Sequence, residues 1–264
     1  MLEVAPDAHK GDLGRLIVVG GAMGMLGASW LAGRTALHAG TGRVWVCQLD
    51  PMAPRIDPVY PELMLCDADG WRGRRADAVV VGPGMGTDER AATVLADLIT
   101  LDLPMLLDAD ALNLVAVNEG LADMLRARRA PTILTPHPGE AGRLLGLTAA
   151  AVQAERVAAA ARLCDRFGVI AVLKGARTVI AAGAQAALNT TGCSKLATAG
   201  TGDVLSGLIG ALLARGIPAW DAALMGVWIH GRAGERMPTE RPTASALLPL
   251  ISGAIAEFAC RRGG

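Results

Sequence analysis

Short apolar runs alternate along this chain with glycine-rich or polar loops and with helical stripes. Residues 15–19 and 78–81 are two such runs, and each leads into a turn rich in glycine at 20–21 or 82–86. Runs this short and apolar are typical of strands buried on both faces. Because strands alternate with helices, we predict right-handed β-α-β units, and therefore an α/β fold with a doubly wound, mostly parallel sheet and helices on both faces.

The same pattern predicts where the elements lie. Strands are predicted at 15–19, 44–47, 63–65, 78–81, 105–107, 132–134 and 170–173, followed by a hairpin of 178–181 and 185–188. Helices are predicted at 28–39, 88–99, 149–167, 201–214, 219–236 and 245–261. No linker or repeat interrupts them, so we expect residues 1–264 to form a single domain. Ligands of such sheets bind at the carboxyl ends of the strands, where one crevice could collect the loops.

The stretch Gly200-Thr201-Gly202-Asp203 comes directly before a helical stripe that ends near Gly216. Two glycines separated by one residue let backbone N–H groups approach an anion closely. The helix N-terminus adds unpaired donors and partial positive charge, so the loop predicts a phosphate or oxyanion site. Asp203 is then a base for a nearby hydroxyl, a ligand of a metal or water, or merely an acid in a first helical turn. The residues alone leave these interpretations open.

Other polar positions follow predicted strands. His137 lies between two prolines in a rigid loop, where structural and functional roles are both open. Lys174 is one of three lysines and ends a predicted strand, from which its ammonium could reach a phosphate. His230 lies in an apolar helical stretch and is interpreted as a core residue. The glycines at 20–24 lack the spacing of a dinucleotide fingerprint, so a close-packing turn is the default there.

Composition limits the kinds of binding partner and the cellular compartment that fit this chain. The chain carries 25 basic and 25 acidic residues, and this balance argues against nucleic acid and acidic membranes as partners. No uninterrupted apolar run reaches membrane-spanning length, and the polar start lacks a signal-peptide core. Five scattered cysteines never show Cys-x-x-Cys spacing, so we predict reduced thiols rather than a disulfide framework or a zinc site. We therefore expect a cytoplasmic protein.

Several stretches together resemble one family, the ADP-dependent NAD(P)H-hydrate dehydratases, which are similar to carbohydrate kinases and have a ribokinase-like fold. The resemblance covers residues 9–259. Its most specific parts are Asp-Ala-Asp-Ala-Leu-Asn at 108–113 and Thr-Pro-His-Pro-Gly-Glu at 135–140, whereas Gly-x-Gly-Asp at 200–203 is shared with sugar and vitamin kinases. The remaining matches are at 10–14, 25–28, 82–86 and 173–175.

The resemblance implies repair of the S-epimer of hydrated NADH and NADPH. Phosphate would pass from ADP to the ring hydroxyl and then be eliminated, which yields AMP, phosphate and NAD(P)H. Asp203 would be the catalytic base. The hydrate would contact Ala28, Gly84, His137 and Asp203, and the nucleotide would contact Lys174, Gly175, Ala176, Arg177, Thr178, Gly200, Thr201 and Gly202. A magnesium ion would be held by phosphates and water, so no protein metal ligand is predicted.

The chain departs from the family pattern at Cys193, where asparagine is usual, which puts the polar contact there in doubt. The first predicted strand begins near Arg15, so we expect no N-terminal epimerase domain and hypothesise a separately encoded epimerase as partner. Relatives suggest a homotetramer. Two other functions remain open: a kinase of a small alcohol, of the hydroxymethylpyrimidine or hydroxyethylthiazole type, and a nucleotide-binding sensor without turnover.

Overall fold

The computed structural model describes His9 and residues 11–237 and 243–262. Lys10, which belongs to the first stretch of the family resemblance, lies outside the described residues. Within the described part, the strands are β1 (Arg15–Gly20), β2 (Arg43–Gln48), β3 (Met64–Asp67), β4 (Ala78–Val81), β5 (Met105–Leu107), β6 (Thr132–Leu134), β7 (Ile170–Leu173), β8 (Val179–Ala182) and β9 (Gln185–Leu188). They form one sheet in the order β3-β2-β1-β4-β5-β6-β7-β8-β9.

The helices of the described residues cover both faces of this sheet. They are α1 (Leu26–His38), α2 (Glu89–Ile99), α3 (Asp110–Val117), α4 (Glu119–Arg126), α5 (Pro138–Leu145), α6 (Ala149–Ala154), α7 (Arg156–Phe167), α8 (Thr201–Ala214), α9 (Ala219–Glu235) and α10 (Leu248–Arg262). Short 3₁₀ turns at Ser194–Leu196 and Ala244–Leu247 precede α8 and α10. The strands from β3 to β7 pair in parallel, and β8 and β9 pair antiparallel. The predicted α/β fold class, a mostly parallel sheet with helices on both faces, is confirmed.

One predicted helix is wrong. Residues 149–167 form two helices rather than one, because the backbone leaves helical geometry at Glu155, where φ is −130° and ψ is 55°. The turn lets α6 pack along α5. It also brings Arg156 to the end of β7, where the guanidinium donates a hydrogen bond of 2.8 Å to the carbonyl of Leu173. The apolar spacing runs through the break and therefore does not reveal it.

Alternate strand residues build two cores, one on each face of the sheet. In β1, Leu16 and Val18 face the core formed with α1, α8, α9 and α10, whereas Ile17 and Val19 face the core formed with α2 to α7. Helix α8 lies very close to its neighbours, since a Cβ at Gly207 would come within 2.1 Å of the carbonyl oxygen of Ala32. This close packing fixes the N-terminus of α8 over the carboxyl edge of the sheet.

The order of the strands reverses at β1, which lies between β2 and β4. The loops that leave β1 and β4 therefore diverge to opposite sides of the sheet and open a crevice between them. Two backbone hydrogen bonds join these loops at the edge: Gly21 donates to Pro83 over 3.0 Å and Ala22 donates to Gly84 over 2.6 Å. At the start of the crevice, the two turns are therefore held rigidly together by hydrogen bonds.

The segment Ala244–Arg261 is long and apolar enough, by length and composition alone, to cross a membrane, a test that core helices of soluble proteins also pass. It packs on α1 and α9 and includes Glu257, which pairs with Arg232 of α9 over 2.9 Å. Only a third of the segment is buried within this chain. Part of its apolar surface is therefore uncovered.

Candidate active site

Polar side chains gather where β5, β6 and β7 end and where α8 begins. Asp108 follows β5, His137 follows β6 and Lys174 follows β7, while Asp203 lies in the first turn of α8. The carboxyl ends of neighbouring parallel strands lie at one edge of the sheet, so these side chains belong to a single crevice. The structure therefore places together the strand-end loops that the sequence predicted.

Lys174 is the cation of this crevice. Its Nζ donates a hydrogen bond of 2.6 Å to Oδ1 of Asp108 and lies 3.9 Å from Oε2 of Glu140. Oδ2 of Asp108 accepts a hydrogen bond of 2.7 Å from Ser206 in α8. Burial lowers the pKa of Lys174, but the charges of Asp108 and Glu140 outweigh it and raise that pKa above its ordinary value. Lys174 is thus a charged, fixed ammonium.

His137 caps helix α5. Its Nδ1 accepts the backbone N–H of Gly139 over 2.9 Å, while the Glu140 carboxylate accepts the backbone N–H of His137 over 2.8 Å. This reciprocal arrangement is a capping box. Burial lowers the pKa of the ring and outweighs the opposing charge of Glu140, so the imidazole is neutral at pH 7. With Nδ1 accepting, Nε2 carries the proton and is the atom available to a ligand or to Glu140, 3.3 Å away.

Asp203 is a largely buried carboxylate with a strongly shifted pKa. Burial is the largest cause of its shift, and Asp108, Asp110 and Glu140 add repulsion that Lys174 only partly offsets. Together they raise the pKa of Asp203 to about 7. A carboxylate with such a pKa can accept a proton near neutral pH, which is the property that a general base needs. This observation favours the base over an ordinary acid of a first helical turn.

A cavity of about 540 Å³ lies against the first turn of α8, and its lining includes Gly202 and Lys174 but not Asp203 itself. It is lined on one side by residues 174–178, on another by the loop 189–194, and at its floor by Thr201 and Gly202 of α8. A Cβ at Gly202 would lie 3.4 Å from Nζ of Lys174, so the ammonium stands directly beside the first turn of α8. Seven of the eight nucleotide-binding residues predicted from the resemblance line this cavity. Gly200 is not among the lining residues.

Two of the four predicted hydrate-binding residues, Ala28 and Gly84, lie at the turn between β4 and α2. A Cβ at Gly84 would approach the Cβ of Ala28 to 3.1 Å, so these two positions are neighbours in the fold. Ala28 lies in the first turn of α1, and Gly84 lies in the turn after β4. Gly86 in the same turn donates its N–H to Oδ2 of Asp110, over 3.0 Å. The negative charge of Asp110 also helps to raise the pKa of Asp203, so this turn influences the proposed base electrostatically.

Replacing Gly84 by alanine is expected to lower hydrate affinity with little change in ADP affinity. The backbone φ at Gly84 is +59°, and an added Cβ would lie 2.6 Å from the carbonyl oxygen of Met25, so the turn must shift. Gly86→Ala is the matched control, because its φ is +75° but its Cβ would make only ordinary contacts, with Ala22 at 3.5 Å and with the end of the Met25 side chain at 3.9 Å. Measured KM values for the hydrate should rise in the first variant by more than in the second, and equal effects would contradict the argument.

Two parts of the site were not predicted from the sequence. Ser206 was treated as one more position of the α8 helix, and Asp108 entered only as part of a motif. A buried acid directly after an apolar strand is the signal that could have marked Asp108. His230 is buried as predicted, but it also lines the cavity, and its Nε2 has no hydrogen-bond partner among the described residues. Burial lowers the pKa of His230 to about 4, so the ring is neutral.

Comparison with known proteins agrees with this geometry. The family model described as NAD(P)H-hydrate dehydratase matches residues 16–257. The chain is 43% identical over 260 residues to the ADP-dependent (S)-NAD(P)H-hydrate dehydratase of Neisseria meningitidis, which covers 97% of this chain and 86% of that protein. It is 42% identical to the bifunctional NAD(P)H-hydrate repair enzyme of Escherichia coli, with 87% of this chain and 44% of that protein covered.

A solved structure is similar over nearly the whole length. The ADP/ATP-dependent NAD(P)H-hydrate dehydratase of Bacillus subtilis, co-crystallised with ATP and Mg²⁺, superposes with a TM-score of 0.82 at 31% identity. The match covers 98% of this chain and 93% of the Bacillus chain. The likeness therefore includes the strand ends and the α8 N-terminus from which the site described above is built.

Proposed function

This chain belongs to the NAD(P)H-hydrate dehydratase family, and from that membership and its site we propose that it dehydrates the S-epimer of hydrated NADH and NADPH at the expense of ADP. The products are NAD(P)H, AMP and phosphate. The observation that carries the proposal is the Asp203 carboxylate, whose pKa is raised to about 7 at the N-terminus of α8, next to Lys174 and a cavity of about 540 Å³.

The geometry suits a phosphorylation followed by an elimination. Asp203 takes the proton of the ring hydroxyl, and the hydroxyl oxygen bonds to the β-phosphorus of ADP while the bond to the bridging oxygen breaks and AMP leaves. Next, the bond between the ring carbon and the phosphate oxygen breaks, and a proton passes from the adjacent ring carbon to water, which restores the double bond. Lys174 and the first amides of α8 stabilise the charge that gathers on the phosphate.

Magnesium fits this site as a companion of the nucleotide. Among the described residues, no group of three or more histidine, cysteine, aspartate or glutamate side chains could hold a metal ion. Both oxygens of Asp108 are already engaged by Lys174 and Ser206. We propose that Mg²⁺ is held mainly by ADP phosphates and water, and that it would neutralise charge on the transferred phosphate.

The test is to incubate the full chain with hydrated NADH, ADP and Mg²⁺ and to follow absorbance in the band of the reduced nicotinamide. We expect this band to return with AMP and phosphate released in equal amounts. If a stable phosphorylated alcohol accumulated from a small-alcohol substrate and the band did not return, the protein would be a kinase. ADP binding without turnover of either substrate would make it a sensor.

The pH dependence of kcat/KM is expected to report Asp203. A base must be ionised to accept a proton, so activity should fall as pH drops below about 7, the pKa of Asp203, and level off above it. Burial lowers the pKa of His137 below its ordinary value of 6.5, so the titration of this ring lies on the acid side of that of Asp203. A profile measured from pH 5 to 9 that stays flat through pH 7 would contradict the role of Asp203.

We further propose that a separately encoded epimerase supplies the S-epimer. The chain spans 44% of the length of the bifunctional Escherichia coli repair enzyme.

We also propose a cytoplasmic location, because the substrates are reduced dinucleotides and the five cysteines are free thiols. Finally, we propose a homotetramer. The apolar surface of Ala244–Arg261 that this chain leaves uncovered supports burial against another copy.

A further inference from the structure

Two cysteine side chains meet where the outermost strand β3 pairs with β2. Cys47 in β2 and Cys66 in β3 are direct partners in the parallel register of these strands. Their sulfur atoms are 3.1 Å apart, and both residues belong to the core that the sheet forms with α2 to α7. Neither residue lines the cavity at the first turn of α8, so the pair is separate from the proposed dehydration chemistry.

The backbone holds the two cysteines at a spacing that a disulfide bond can span. Neighbouring strands lie about 4.7–4.9 Å apart, which falls within the usual range of about 4.4–6.8 Å between the Cα atoms of a disulfide. Successive residues of a strand point to alternate faces, and Cys47 and Cys66 point to the same one. Small side-chain rotations that bring the sulfur atoms about 1 Å closer therefore suffice for a covalent bond of about 2.05 Å.

The surroundings of Cys66 favour its thiolate form. The hydrogen bond from the thiol of Cys47 lowers the pKa of Cys66, burial opposes this effect, and the positive charge of Arg74 adds to it. Arg74 is held in place, because its guanidinium lies over the ring of Trp45 and its Nε donates to the carbonyl of Gly70. The same sulfur–sulfur hydrogen bond, together with burial, raises the pKa of Cys47, so Cys47 keeps its proton.

Cys66 is also the more accessible member of the pair. It is 8% exposed, whereas Cys47 is fully buried. Strand β3 is the first in the order of the sheet, and the turn that follows it passes across the sulfur, since a Cβ at Gly70 would lie 2.7 Å from Sγ of Cys66. Access of this kind suits a small, neutral oxidant such as hydrogen peroxide rather than a bulky disulfide such as oxidised glutathione.

We propose that Cys47 and Cys66 form a reversible disulfide when a peroxide oxidises the protein, and that this bond ties the outermost strand β3 to β2. The thiolate of Cys66 attacks one peroxide oxygen and the O–O bond breaks. Cys66 becomes a sulfenic acid, and the departing hydroxide takes up the proton that Cys66 had lost. The sulfur of Cys47 then attacks the sulfur of Cys66, the S–O bond breaks, and the oxygen leaves as a second water with the proton of Cys47. A thiol reductant restores both thiols.

The test adds hydrogen peroxide to the reduced full chain, alkylates the remaining thiols and maps the tryptic peptides by mass spectrometry. Trypsin cuts after Arg55, so Cys47 falls in the peptide 44–55 and Cys66 in the peptide 56–72. We expect these peptides to appear as one linked species that lacks two hydrogen atoms relative to their sum and that dithiothreitol separates again. The midpoint of thermal unfolding should rise by roughly 5–10 °C on oxidation, because the bond constrains the unfolded chain.

Cys47→Ala and Cys164→Ala are the matched variants, because each removes one buried thiol. Sγ of Cys164 donates to the carbonyl of Ala181, over 3.2 Å, rather than to another sulfur. Oxidised Cys164→Ala should still give the linked peptides and the rise in unfolding midpoint. Oxidised Cys47→Ala should give neither and should carry Cys66 as a sulfenic or sulfinic acid. ADP binding checks that both variants are folded.

Two outcomes would overturn the proposal. The first is that Cys47 and Cys66 are both recovered alkylated at a peroxide dose that has already oxidised the exposed Cys193 and Cys260. The second is that Cys66 is linked to Cys193 or Cys260 instead, because this would show exchange between unfolded chains rather than a bond between neighbours on paired strands.

Discussion

Asp203→Asn is expected to lower kcat by about 10²–10⁴-fold, the usual contribution of a positioned general base. The amide keeps the size of the side chain but cannot accept the hydroxyl proton. ADP should still bind, because its proposed contacts are Lys174, the loop that follows it and the α8 amides, none of which is removed. The measurement is single-turnover recovery of the reduced nicotinamide band, together with calorimetric titration of ADP.

The same substitution is expected to stabilise the folded chain above neutral pH. The pKa of Asp203 is about 7 in the folded protein, above its ordinary value of 3.8, so the protonated form favours folding and that contribution is lost as pH rises through 7. At pH 8 the negative charge of Asp203 destabilises the folded state of the unmodified chain, and the Asp203→Asn variant does not carry this charge. Below about pH 4 the two chains should be equally stable.

Asp221→Asn is the matched control, since Asp221 is likewise an acid in the first turn of a helix. It should change neither kcat nor the pH dependence of unfolding. If Asp203→Asn retained full activity, or if its unfolding free energy equalled that of the unmodified chain at pH 8, the carboxylate would not be the buried base described above.

Lys174→Met is expected to destabilise the fold by about 3–5 kcal/mol and to abolish measurable ADP binding. Methionine keeps the length of the side chain but leaves Asp108, which is 1% exposed, without its cation. An uncompensated buried charge is far more costly than a lost surface ion pair. The measurements are the free energy of unfolding in urea and the dissociation constant for ADP.

Lys195→Met is the control for loss of a lysine, because the one acceptor that Nζ of Lys195 has among the described residues is the neutral carbonyl of Met237, over 2.6 Å. Adding Asp108→Asn to Lys174→Met removes the orphaned charge and should recover much of the lost stability without restoring ADP binding. Failure of this recovery would show that Lys174 stabilises the fold through its packing and not through Asp108.

Much of the fold could be predicted because its signals are local. Each parallel strand is a short apolar run closed by a turn, so β1, β4 and β5 were placed within one residue of their observed ends. The loop from Gly200 to Asp203 could be singled out for the same reason, since these residues are contiguous and lead into a helix. Local spacing failed at Glu155, where the predicted helix is divided in two without any change of periodicity.

The electrostatics of the site could not be predicted because its partners are distant in sequence. The hydrogen bond from Ser206 to Asp108 joins residues 98 positions apart, and that from Lys174 to Asp108 joins residues 66 apart. A pattern of residue types does not show which strand end faces which helix. Without that knowledge, neither the hydrogen bond that holds the ammonium of Lys174 nor the raised pKa of Asp203 could be inferred.

The hydrogen bonds between residues far apart in sequence also affect how the protein folds during its synthesis. Closing long chain segments costs entropy before the contacts can form, and parallel sheets with such connections fold slowly. A ribosome must have released residues beyond Ser206 before the Asp108 carboxylate can find both of its partners. A nascent chain therefore carries an uncompensated acid until Lys174, 66 residues further along, has been made, and the hydrogen bond from Ser206 can form only later still.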